Sequence, residues 1–167
     1  MRPQPKPIGM EDPSASRPAA VPWPPILIAA ALGVAVVLGR TYPLAWPGLD
    51  DLAAGIIGYG VGAAGAALVA WGVFTLRRAG TTIMPNQRAE RLVTEGAFAF
   101  RRNPLYMGEV LMFLSLAEVT HNIWFAVLAP VLAIALYALA IRPEERHLET
   151  RFGQAYLDYK ERTRRWF

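Results

Sequence analysis

LAAGIIGYGVGAAGAALVAWGVFTL, residues 52–76, contains no Asp, Glu, Lys or Arg. A helix needs about 17–25 mostly apolar residues to cross roughly 30 Å of hydrocarbon, so this stretch predicts a membrane-spanning helix. Outward toward the N-terminus, Ile26 to about Gly39 repeats the pattern. Pro24 and Pro25 precede it where a first helical turn needs no amide hydrogen. Toward the C-terminus apolar character resumes in Leu105–Val119, which is short for a straight span, and in Ile123–Ile141, which is long enough. Pro130 is a candidate kink in the latter. These two segments form a helical hairpin turning at Glu118–Asn122. Residues 146–165 place Leu148, Phe152, Tyr156 and Tyr159 on one helical face, the pattern of an amphipathic helix resting on a membrane or on the protein. The expected fold class is therefore all-α: an integral membrane protein with about four membrane helices, the last two a hairpin, and a C-terminal amphipathic helix.

The charge-free stretch also spaces Gly58, Gly62, Ala66 and Ala70 four apart. Small residues at helical spacing let backbones approach closely in lipid, and this stripe is expected to pack against a neighbouring helix.

Composition limits the chemistry. With 167 residues, 54% of them hydrophobic, the chain is one membrane domain over 23–167. A proline-rich, aperiodic arm, residues 1–22, precedes it and is expected to be disordered. There is no cysteine, which excludes disulfides and thiolate nucleophiles. His121 and His147 are the only imidazoles, so no metal site is expected. The net charge of +4 is gathered at the ends of apolar runs and reads as membrane orientation rather than nucleic-acid binding. Arg and Lys fall in the arm, in 77–104 and after Ile141, with Arg40 alone on the opposite side. The positive-inside rule then places both termini and the 77–104 loop in the cytoplasm, at an inner membrane of bacterial type. Trp46 is expected at headgroup level.

Two polar blocks flank the hairpin: LVTEGAFAFRRNPLYMG, residues 92–108, and EERHLETRFG, residues 144–153. In the first, Asn103 suits an N-cap and Pro104 a first helical position. The helix start, with Arg101 and Arg102 before it, attracts a carboxylate or phosphate; the alternative is a capped helix whose arginines meet headgroups. Glu109 lies inside the helix, where an ionisable group faces a protein interior or a watery cavity. Pro143 marks a kink or a restart. Glu144 and Glu145 either stabilise a new first turn or hold a ligand's ammonium or hydroxyls. Arg142 pairs a glutamate or holds a substrate anion. Tyr106 sits one turn from this polar cluster, while His147 is expected on the exposed side of its helix.

With these residues in place, the chain resembles the integral-membrane methyltransferases related to isoprenylcysteine carboxyl methyltransferase and phospholipid methyltransferases. The resemblance covers about residues 80–165. It rests on Leu92, Val93, Thr94, Gly96, Phe98, Arg102, Asn103, Pro104, Tyr106 and Gly108, then on Glu144, Glu145, Leu148, Phe152, Gly153, Tyr156 and Tyr159. It implies S-adenosylmethionine as methyl donor. Leu92, Val93, Phe98, Arg102, Asn103, Pro104, Tyr106, Glu144 and Glu145 would line that cofactor, and the acceptor would be a lipid or another hydrophobic small molecule. The pattern departs from the family at Asn103, where histidine is common, and at Phe98, where tyrosine is. It departs again at Ala140, which stands where the prenylcysteine enzymes carry a substrate-contacting arginine, so a prenylcysteine carboxylate is a poor fit.

Methyl transfer is an in-line displacement governed by alignment and exclusion of water. A neutral amine acceptor needs a general base, for which Glu145 and Glu109 are the candidates; a carboxylate or thiolate acceptor needs none. Two other readings compete: an NADPH-dependent membrane reductase of the sterol-reductase type, whose arginines would hold a 2′-phosphate, and a non-catalytic membrane module. The paired glutamates favour the methyltransferase over the first, and their retention with the Asn-Pro-x-Tyr turn favours it over the second.

Overall fold

A computed structural model describes residues 22–44, 52–81 and 91–166. Most of the N-terminal arm and the segment containing Trp46 lie outside the described residues. Among those described, the regular structure is entirely helical: α1 (Trp23–Thr41), α2 (Leu52–Arg78), α3 (Ala97–Phe100), α4 (Pro104–Thr120), α5 (Ile123–Leu136), a π-turn (Tyr137–Ile141), α6 (Arg142–Phe152) and α7 (Gln154–Arg162). Three helices are long and apolar enough to cross a membrane: Trp23–Thr41, Leu52–Arg78 and the continuous run Ile123–Phe152. At 17 residues, α4 reaches about 25 Å at 1.5 Å per residue, which is why it falls short of the other three. Ile56, Ile57, Phe74, Val131 and Ile134 are all exposed. So broad an apolar surface is stable against lipid and a liability in water.

The helices pack in the order α2, α4, α5, α1. The core lies between α4, α5 and α1, with Phe113 and Phe125 in edge contact at 5.2 Å between centroids and Leu132, Leu136 and Ile141 sealed behind them. The hairpin turns where expected. His121 takes a left-handed conformation at φ 51, and the Asn122 side chain accepts from the Trp124 amide at 3.1 Å. The Asn122 amide also donates to the Ala35 carbonyl at 3.0 Å, pinning α1 to the turn.

The small-residue stripe of α2 is real, but its path differs from the expected one. Gly58 and Gly62 do face α4, against Glu118 and Ser115. The contact then continues through Gly65 and Gly72, while Ala66 and Ala70 are exposed. Steps of four residues overshoot a 3.6-residue turn by about 40° each, whereas alternating steps of four and three keep one face toward a neighbour at a shallow crossing angle. A Cβ on Gly65 would stand 2.7 Å from the Gly108 carbonyl oxygen, and one on Gly108 would stand 2.6 Å from that of Gly65. The two backbones are in direct contact.

The C-terminal segment is helical but is not one helix. Gly153, at φ 52, separates α6 from α7. At the other end, α6 is joined to α5 without a break, because the Arg142 amide donates to the Tyr137 carbonyl five residues back. Pro143 has no amide hydrogen, and its ring crowds the carbonyl four residues before it. The widened turn ahead of it accommodates that crowding, so Pro143 neither breaks nor restarts the helix.

Gly65→Val and Gly108→Val should each destabilise the protein by about 1–3 kcal/mol through overpacking, read as a lowered thermal midpoint in detergent. Gly60→Ala, with open space around its new Cβ and a better helix former in place of glycine, should not lower the midpoint.

Candidate functional site

Continuity of the α5–α6 helix decides what the two glutamates do. A first-turn carboxylate stabilises a helix by meeting unpaired amides, but at the start of α6 the Arg142 amide is already bonded across the π-turn and Pro143 has none. Glu144 and Glu145 are left for other partners. One extra residue in the π-turn rotates the rest of the helix by about 100°, and α6 then carries Glu145 inward, 7% exposed.

Glu145 is the centre of the site. Arg165 binds it with two bonds, Nε to Oε1 at 2.9 Å and Nη2 to Oε2 at 2.6 Å. The Arg102 Nε lies 3.5 Å from Oε1, and the Asn103 amide donates to the same oxygen at 3.4 Å. Asn103 stands at the N-cap position of α4, yet its side chain makes no capping bond. With Pro104 next in sequence there is one amide fewer to cap, and the carboxylate is the stronger acceptor. The chain's own Glu145 thus supplies one carboxylate at this arginine-flanked helix start.

Beside it, the Tyr106 hydroxyl donates to Glu144 Oε2 at 2.8 Å, joining α4 to α6 a second time. Glu109 follows Tyr106 on α4 by about one turn, and its Oε2 is buried with no hydrogen-bond partner among the described residues. The buried Arg102 Nε likewise makes no hydrogen bond. The Glu109 oxygen is therefore left without a hydrogen-bond partner among the described residues, beside the partnered carboxylate of Glu144, while Arg102 Nε faces Glu145 as an ion pair.

The loop before α4 is held by the chain's end. Arg102 donates through Nη1 to the carbonyls of Lys160, at 2.7 Å, and Thr163, and its backbone amide donates to the Arg164 carbonyl at 3.0 Å. Arg101 Nε donates to the Trp166 carbonyl at 2.6 Å. Tyr159 donates to the Phe98 carbonyl at 2.7 Å. Burial pushes the Tyr159 phenol up to about 12 and raises that of its neighbour Tyr156, while hydrogen bonding to Glu145 raises the Arg165 guanidinium.

Of the residues singled out in the sequence, Arg102, Asn103, Tyr106, Glu144 and Glu145 come together. Val93 and Pro104 are buried, and Leu92 and Phe98 are half-buried. The Pro104 ring stands beside Gly72 of α2, so helix packing is its visible role. Arg142 lies apart from Tyr106, in a cleft of about 680 Å³ that Glu145 also borders. Ala140 is buried in the core. His147, expected on the exposed face, is buried instead, because α6 also meets protein on that side. Arg165 joins the site without any mark in the sequence. It lies in a basic tail whose arginines look alike in sequence, and only the return of that tail to the 101–102 loop distinguishes it.

Arg165→Ala should destabilise the protein by about 1–2 kcal/mol. That is less than a fully buried pair would lose, since the Arg165 side chain is 30% exposed; the double variant with Glu145→Gln should show positive coupling in thermal unfolding. A phenol raised above its ordinary value of about 10 adds stability that is full below that pH and is lost as pH rises through about 12. Tyr159→Phe should flatten this alkaline loss and cost about 0.5–1.5 kcal/mol at neutral pH.

Compared with known proteins, the chain matches the family model described as phospholipid methyltransferase over residues 53–155. No curated protein and no solved structure matches it.

Proposed function

The chain belongs to the phospholipid methyltransferase family, and from that premise we propose that it transfers a methyl group from S-adenosylmethionine to a lipid or other membrane-soluble acceptor at the cytoplasmic face. The observation that carries the reading is the convergence of Tyr106, Glu144, Glu145, Asn103 and Arg102 at the foot of the hairpin.

This set suits the donor's chemistry. A zwitterionic, hydroxyl-bearing molecule with a sulfonium needs carboxylates for its ammonium and ribose, and a cationic donor for its carboxylate. Glu144 and Glu145 serve the first need and Arg102 the second, with Asn103 and Tyr106 fixing the geometry. Leu92, Val93, Phe98 and Pro104 line the apolar part. When bound, the cofactor supplies an electrophilic methyl group.

The protein's own part is alignment and exclusion of water. Tyr106 holds Glu144 in one orientation, and Arg165, Arg102 and Asn103 do the same for Glu145. Glu109 has a free buried oxygen on the helix that carries Tyr106, so it is the group to accept a proton from an amine acceptor. Glu145 is the second candidate, weakened as a base by its two guanidiniums. Arg142, on the cleft beside Glu145, holds an anionic part of the substrate.

In the topology this requires, α1, α2, α4 and α5 all cross the membrane and residues 23–167 act as one domain. Arg77 and Arg78 close α2 on the same side as Arg101 and Arg102, and by the positive-inside rule that side, with both termini, is cytoplasmic.

S-adenosylhomocysteine should raise the thermal midpoint of the detergent-purified protein, and NADPH should not. Glu144→Gln should remove most of the S-adenosylhomocysteine response and lower labelled methyl transfer to membrane lipid extract at least roughly tenfold, the loss of one charged hydrogen bond. Stabilisation by NADPH alone, or an undiminished response in the variant, would sink the reading.

A further inference from the structure

We propose that the cleft between α6, α7 and the C-terminal tail binds the phosphate group of a membrane lipid whose headgroup is net negative. The inference rests on the reading of Arg142 as a lipid-side cation and names a lipid bound beside the site, distinct from an amine-bearing methyl acceptor. Its test reads binding without methyl donor, so its failure leaves the methyl-transfer reading standing.

Four cations border the cleft, Arg142, Arg146, Lys160 and Arg165, against two carboxylates, Glu145 and Glu149. The two carboxylates are already engaged. Arg165 holds Glu145 at 2.6 Å, and Lys160 lies 3.3 Å from Glu149. Arg142 and Arg146 have no acidic partner within 4.0 Å among the described residues. They stand four apart on α6, both exposed. Like charges at that spacing repel, and an anion shared between them turns that repulsion into attraction.

The cleft is shaped as well as charged. The Tyr137 ring lies under two guanidiniums, 5.9 Å from Arg142 and 5.1 Å from Arg165, and cation–π contact limits their freedom. Its volume of about 680 Å³ is within the range of small-molecule sites.

Depth identifies the occupant. Residues 123–141 carry no charge, and Arg142 is the first cation after them. The cleft therefore opens where hydrocarbon gives way to headgroups, at the level of lipid phosphates. A choline or ethanolamine headgroup would bring an ammonium in among these cations. A glycerol headgroup brings only hydroxyls, for which the Thr150 hydroxyl on the cleft wall is a partner.

The full chain, delipidated in neutral detergent, would be titrated with short-chain phosphatidylglycerol, with phosphatidylcholine of the same chain length, and with inorganic phosphate, following the thermal midpoint and native mass spectra. Phosphatidylglycerol should bind roughly ten- to thirtyfold more tightly than phosphatidylcholine, as two juxtamembrane arginines allow. Arg142→Gln with Arg146→Gln should reduce that ratio to about one. Arg77→Gln with Arg78→Gln, which removes equal charge from the end of α2, should leave it intact. If the first pair does not fold, Arg146→Gln alone, at an exposed position, should still lower the preference about fivefold. The proposal is overturned if the preference survives loss of Arg142 and Arg146, or if the α2 pair erases it equally. Inorganic phosphate binding as tightly as phosphatidylglycerol would overturn the lipid assignment.

Discussion

A carboxylate at the edge of a membrane is expensive to bury unless cations and donors meet it, and Glu145 is 7% exposed. Its partners come from two other parts of the chain: Arg102 and Asn103 before α4, and Arg165 in the tail. Satisfying this one group therefore fixes three segments relative to one another. The loop is carried to α6, the tail is drawn back over the loop, and Arg102 uses its Nη1 and its backbone amide on the tail's carbonyls. Tyr106 and Glu144 are brought within 2.8 Å of each other across the same junction.

The apolar half of the molecule prepares that junction. Contact between Gly65 and Gly108 lets α4 lie directly on α2, and the Asn122 turn holds α5 beside α4 while anchoring α1. With the hairpin set, the π-turn at Tyr137–Ile141 determines which residues of α6 look inward. The wide turn and Pro143 are linked, because a missing amide and a crowding ring leave the helix to widen or to break. Widening keeps the helix whole and leaves both glutamates without a capping duty.

The π-turn also separates two environments at one helix foot. On the inner side, the carboxylates of Glu109, Glu144 and Glu145 gather around Tyr106, Asn103 and Arg102. On the outer side, Arg142 and Arg146 stand unpaired among the described residues, an arrangement for an anion. Glu145 borders both, and its neutralisation by Arg165 and Arg102 keeps the two from cancelling each other.

Much of the architecture was legible in the sequence. Charge-free runs of membrane length, the Asn-Pro helix start and the turn at Glu118–Asn122 each follow from local chemistry, since a backbone in lipid must bond to itself. The two blocks that resemble the methyltransferase family were legible for the same reason, as short patterns of residue type and spacing. Tertiary structure alone decided the rest. It moved the packing stripe from Ala66 and Ala70 to Gly65 and Gly72, because helix crossing sets the contact period. It turned Asn103 from a cap into a partner of Glu145, and buried His147. It also singled out Arg165 from its neighbours, because an ion pair spanning twenty residues depends on where the chain returns, and no local pattern encodes that.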